Sequence, residues 1–263
     1  MIVAMQSVDT LMSAIAMTTP RVLGAFLMLP LLTQENTPAM VRNSILISLA
    51  VIAVPAAMIS APTADITMSM WPALLVKEIF LGTVIGFCFG TIFWAIGAAG
   101  NVIDTQVGMN MATIMDPIQG HQASLHGQFL SQLAAWLFMA SGAFLVFLDI
   151  LLSSYAVWPV TSFYPSLQPG GMEMFIGQFA FLMSAVVVMA APVMVFMLLV
   201  DLVFGLMNRF APQLNVFALT MPIKAWVATA MIFLLIGLYA EIIMDRLMAN
   251  RGLLEALQKI FGP

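Results

Sequence analysis

The sequence predicts an all-α integral membrane protein, a bundle of long, kinked hydrophobic helices forming a single domain over residues 1–263. Of the 263 residues, 62% are hydrophobic and only 8% are charged, where ordinary soluble domains carry roughly 25% charged residues. Mean hydropathy is +1.06. Apolar runs at residues 11–32, 44–61, 71–99, 129–152, 175–207 and 225–244 each approach or exceed the roughly 20 residues that a helix needs to cross a hydrocarbon core.

The first run has no Lys or Arg before Arg21 and carries Asp9 ahead of it, so it does not read as a cleaved secretory signal. Pro20 and Pro30 fall in this run, Pro55 in the second, Pro72 in the third, Pro192 in the fifth and Pro222 just before the sixth. A proline inside a helix removes a backbone hydrogen bond, which predicts kinks or breaks. The third and fifth runs exceed one crossing and are expected to be bent, tilted or prolonged outside the bilayer.

The third run opens on Lys77 and Glu78. Snorkelling to the interface accounts for Lys77, and capping or pairing for Glu78. Gly82, Gly86 and Gly90 then stand four apart, a stripe that lets another backbone approach closely. The sequence leaves open whether that backbone belongs to this chain or to a neighbouring subunit. Cys88, the single cysteine, reads as a small buried hydrophobe. Asp149 and Asp201 lie near the ends of their runs, where carboxylates are expected to face a bundle interior or a wet cavity. Asp201 and Arg209 are eight residues apart, about two turns, so they share a face without touching. The tail, residues 245–263, is amphipathic, with Leu253, Leu254, Leu257, Ile260 and Phe261 on one side and Arg251, Glu255 and Lys259 opposite. It reads as an interfacial or partner-binding helix.

Between the third and fourth runs lies the stretch GNVIDTQVGMNMATIMDPIQG, residues 100–120. Backbone that polar and irregular survives at membrane depth only where it lines or blocks a water-filled passage. The stretch therefore suggests a pore with a stopper, with Gly100, Gly108 and Gly120 as flexible points. Asp104, Gln106, Asn110 and Asp116 are suited to hydrogen-bond water or neighbouring backbone, and Pro117 follows them. Met109, Met111 and Met115 admit two readings, a soft seal that closes an opening and then yields, or adaptable packing.

Other functions find little support. A net charge of −4 with no basic cluster gives nucleic acid no surface. His121 and His126 have no cysteine or carboxylate at ligand spacing, so neither a metal nor another cofactor is expected. Ser141 lacks a neighbouring base, and no phosphate-binding glycine loop is present, so no enzyme activity is expected. Arg209 and Lys224 on one side, and Arg246, Arg251 and Lys259 on the other, flank a single apolar run. The positive-inside rule then gives no clean orientation. A stand-alone small-solute transporter or channel is the alternative reading, and it requires a mid-membrane substrate site made by this chain alone.

Several motifs point elsewhere together. The run RFAPQLNVF contains Arg209, Pro212, Gln213, Asn215 and Phe217, and the run IDTQVG, residues 103–108, is followed by Asp116 and Pro117. With Arg21, Gly24, Phe26, Pro30, Pro38, Arg42, Glu78, Gly82, Gly86, Asp201, Gly205 and Lys224, these span most of the chain. On these residues the chain resembles the SctT/FliR family of the type III secretion export gate. The stretch SYAVWP, residues 154–159, looks more like the injectisome branch than the flagellar one. The resemblance implies a non-standard topology and helical assembly with SctR/FliP-like and SctS/FliQ-like subunits around a channel for unfolded secretion substrates. It further implies SctU/FlhB-like, SctV/FlhA-like and inner-rod or needle neighbours, beside membrane lipid. The implied place is the bacterial inner membrane, within the basal body and partly projecting to the periplasmic side. In the family a loop matching residues 101–120 plugs the closed channel.

Overall fold

The computed structural model describes residues 2–31, 37–59, 70–109, 124–160, 171–213 and 215–261. In chain order its helices are α1 (Ile2–Leu27), α2 (Ala39–Ile59), α3 (Trp71–Val107), α4 (Leu125–Ala140), α5 (Ala143–Val157), α6 (Gly171–Phe210), α7 (Val216–Ala249) and α8 (Leu253–Phe261). A short 3-10 turn at Asn250–Gly252 joins the last two. The described residues hold no strand. The molecule is all-α, as the sequence predicts.

Among the described residues, four helices are long and apolar enough to cross a membrane, or five if α4 and α5 count as one broken span. The apolar part of α1 among the described residues, Ala14–Leu27, is shorter. Pro20, Pro55, Pro192 and Pro222 all lie inside continuous helices. Pro30 sits in the turn after α1. Pro72 is in the first turn of α3, where a missing N–H costs nothing. The fourth run does break, but without a proline. It divides at Ser141 and Gly142, and Gly142 takes φ 77° and ψ 5°, a left-handed conformation open to glycine without steric cost.

The helices pack as two compact units. The first comprises residues 1–90, 141–178 and 247–263. Here Gly82 and Gly86 settle the stripe. A Cβ on Gly82 would lie 2.0 Å from the Arg21 carbonyl oxygen, and one on Gly86 would lie 2.2 Å from that of Ala25. The close backbone is α1 of the same chain; Gly90 is buried further along α3. Phe26, Phe89 and Phe147 interlock edge to face at 5.3 Å, a favoured aromatic geometry.

A buried polar cluster completes this unit. Arg21, fully buried, donates from Nε to Glu78 Oε2 at 2.6 Å and from Nη2 to Oε1 at 2.8 Å. Its remaining donors reach Ser154 Oγ at 3.0 Å and the Trp158 carbonyl at 2.8 Å, and its guanidinium lies 4.1 Å from the Tyr155 ring centroid. Lys77 does not snorkel. It is buried, and its Nζ donates to the carbonyls of Pro159 and Val160 at 2.9 and 3.0 Å, with Glu78 Oε1 at 3.0 Å. Pro159 and Val160 follow the end of α5, so no helix uses their carbonyls and the ammonium takes them.

The tail is also corrected. Leu253, Leu257 and Ile260 of α8 are buried in the first unit, and Asn250 Nδ2 donates to the Cys88 carbonyl at 3.3 Å. The apolar side of the amphipathic tail is covered by its own chain. Arg251, Glu255 and Lys259 are exposed.

The second unit comprises residues 91–140 and 179–246. Phe93 meets Phe138 at 5.4 Å, and the Tyr239 hydroxyl donates to the Met189 carbonyl at 2.9 Å. A Cβ on Gly100 would fall 2.4 Å from Gly127 Cα, so α3 and α4 touch backbone to backbone there. Much of α6 faces outward, with Val187, Val188, Val195, Leu198 and Leu202 exposed. In water such a surface would drive association; in lipid it is the ordinary exterior.

Candidate functional site

The central connector was expected to be irregular from residue 101. The helix instead runs to Val107, so the irregular stretch begins at Gly108. Gly100 is no flexible point, because it is glycine for close packing against Gly127. Asn110, Met111, Met115, Asp116, Pro117, Gly120 and His121 lie outside the described residues. What the structure does show is how the connector is held at both ends.

At its start, Gly108 takes φ 92°. Its N–H donates to the Thr105 carbonyl at 3.1 Å, and the Met109 N–H donates to the Asp104 carbonyl at 3.1 Å. These two bonds make a Schellman termination, which uses a left-handed glycine to satisfy carbonyls at a helix end. The Met109 side chain is 38% exposed, so it is not packed away in this unit.

Asp104 reaches across to the other end. This buried carboxylate accepts through Oδ2 from Ser124 Oγ at 2.5 Å and from the His126 N–H at 3.0 Å. Its Oδ1 pairs with His126 Nδ1. The imidazole Nε2 meets Thr229 Oγ1 of α7 at 3.1 Å. Ser124 Oγ also accepts from the Gly127 N–H at 2.9 Å. The carboxylate therefore caps the first turn of α4 from outside, where unsatisfied N–H groups and the helix dipole favour an anion. The sequence reading missed this, because Asp104 and His126 are 22 residues apart and no local spacing links them.

Gln106 is held by a second cluster. Lys224 Nζ of α7 donates to the Gln106 carbonyl at 3.2 Å and pairs with Asp201 Oδ1 of α6 at 2.5 Å. Lys224 is buried, while the Asp201 side chain is 42% exposed. Asp201 thus finds its cation on α7 rather than at Arg209, which is exposed at the end of α6. A cleft of about 330 Å³ adjoins the pair and is lined by Gln106, Gly108, Asp201, Phe204, Thr220 and Met221 among others.

The remaining candidates scatter. Pro212 and Gln213 are exposed in the turn between α6 and α7. Asn215 Oδ1 accepts from the Ala218 N–H at 3.3 Å, an N-cap for α7. Phe217 lies in that helix's first turn. Asp149 is exposed on α5, not turned into its own unit. Among the described residues, no group of three or more His, Cys, Asp and Glu side chains is placed to hold a metal ion.

Both clusters draw on residues that the motifs had singled out, Asp104 and Gln106 in one run and Asp201 and Lys224 beside the other. Known proteins resemble this chain over most of its length. Residues 12–249 match the bacterial export proteins, family 1. The Yop proteins translocation protein T of Yersinia pestis is 37% identical over 214 residues, covering 81% of this chain and 82% of the relative. The surface presentation of antigens protein SpaR of Salmonella typhimurium is 32% identical, covering 85% and 83%. The flagellar biosynthetic protein FliR of Bacillus subtilis is 30% identical, covering 87% and 88%. The match runs through every described helix except α8, and the chain therefore belongs to the bacterial export proteins, family 1, the SctT/FliR family, with its injectisome relatives nearer in identity than the flagellar ones.

Proposed function

We propose that this chain is the gate-closing subunit of a type III protein export apparatus, and that residues 108–123 close the channel when no substrate is passing. The observation that carries this reading is the double attachment at Asp104. One buried carboxylate fixes both the end of α3 and the start of α4, so the residues between them leave and return at one point. A closure needs such a base: the loop can be displaced by a passing chain while the helices that anchor it stay packed.

In this reading the chain joins SctR/FliP-like and SctS/FliQ-like subunits in the channel wall. Its neighbours are the SctU/FlhB-like and SctV/FlhA-like proteins and inner-rod or needle subunits, in the inner membrane and partly toward the periplasmic side. Unfolded secretion substrates pass through, and the chain performs no chemistry on them. The names of the relatives, which speak of Yop translocation and of flagellar biosynthesis, support a role in export.

Deleting residues 109–111 tests the proposal in cells that carry the whole apparatus. Val107 is left in place because it is buried at the helix end. The expected result is leakage of small ions with the apparatus still assembled. Unchanged ion tightness in an assembled deletion variant overturns the closure.

A further inference from the structure

We propose that Lys224 is the positioning residue that fixes the end of α3 from which the closing loop departs, with Asp201 holding its ammonium in place. This inference rests on the gate reading above. It begins with the carbonyls at the helix end. The Schellman turn satisfies those of Asp104 and Thr105, and neither of its bonds reaches Gln106. That carbonyl projects at the negative end of the helix dipole, where a cation is favoured. Lys224 supplies the cation at 3.2 Å.

The ammonium also needs a counter-charge, since a buried unpaired cation is costly. Asp201 provides it at 2.5 Å. The result is a three-helix junction: Gln106 on α3, Asp201 on α6 and Lys224 on α7. It sits two residues before the left-handed Gly108. The Met221 side chain covers Gly108, with Cε 3.2 Å from where a Cβ would stand. Met221 and Lys224 are three apart on α7, so they share one face. One helical face thus grips the loop's point of departure by charge and by packing.

The two attachments of the loop differ in kind. Asp104 and its partner His126 are buried, and the Thr229 contact is part-buried. The Lys224–Asp201 pair borders the open cleft, and Asp201 is 42% exposed. Removing Lys224 leaves a carboxylate and a carbonyl that water in the cleft can satisfy, so the variant is expected to fold. What it loses is the directional hold on residue 106.

The test uses cells assembling the complete export apparatus, with ion leakage and secreted protein as readouts. Lys224→Met is expected to raise leakage about tenfold with the apparatus still assembled, a shift of the size that one charge-assisted hydrogen bond supports. Asp201→Asn, which keeps the carbonyl contact, is expected to leak less than Lys224→Met. The exchange Asp201→Lys with Lys224→Asp decides the role. If the pair only joins α6 to α7, the exchange restores tightness; if Lys224 positions α3, it does not, because an anion then faces the Gln106 carbonyl. Restoration by the exchange, or a tight Lys224→Met variant where deletion of residues 109–111 leaks, overturns this inference and leaves the gate reading standing. A tight deletion variant strikes the gate reading itself.

Discussion

Arg21 ties α1 to α3 and to the end of α5. It is fully enclosed, with donors on Glu78, Ser154 and the Trp158 carbonyl. A buried ion pair contributes little net stability, but removing one member strands the other. Arg21→Ala leaves Glu78 with Lys77 as its remaining cation and removes the guanidinium bond to the Trp158 carbonyl. The expected loss is about 3–5 kcal/mol, read as a fall in the thermal midpoint of the chain in mild detergent. Of this cluster the sequence showed the members and not the bond. Arg21 and Glu78 were both legible as motif residues, but they are 57 positions apart.

At the scale of elements, α1 and α3 meet through glycine. A Cβ on Gly82 would lie 2.0 Å from backbone that no rotamer change can move, so the helices themselves must separate. Gly82→Ala is expected to cost about 1–3 kcal/mol by overpacking. Gly237, in α7, has nothing within 4 Å of its Cβ position, and Gly237→Ala should stay within about 1 kcal/mol of the parent. Equal unfolding midpoints for the two variants would remove the packing explanation. The four-residue spacing announced a contact face, but not which backbone would fill it. The break at Gly142 was hidden for a related reason. Apolar composition continues across Ser141 and Gly142, and only the backbone conformation marks the end of one helix and the start of the next.

Across the whole molecule, each unit is organised around a buried polar cluster, Arg21 with Glu78 in the first and Asp104 with His126 in the second. Lipid gives apolar faces no preference among themselves, so helices in a membrane take their register from small residues and polar contacts. That is why the charges, only 8% of the chain, concentrate so much of the specific structure. The outward faces follow the opposite rule. The apolar windows of α2, α6 and the span Ala218–Ile260 are only 22% buried, against 72% for α3. A chain with that exterior should remain in the membrane pellet after an alkaline carbonate wash and leave it only in detergent. Release by carbonate alone would contradict an integral membrane protein.

By itself the sequence determined the material: an apolar helical chain, its approximate spans, the close-packing glycines and the motif residues of an export family. Those properties follow from composition and local periodicity, which each segment carries alone. The tertiary structure decided the partners. It gave Asp104 to His126, the Gln106 carbonyl to Lys224 at a separation of 118 residues, and Lys77 to the carbonyls after α5. The physical reason is that a pairing between helices depends on how each is rotated and how far it extends, and both are set by packing among segments distant in the chain.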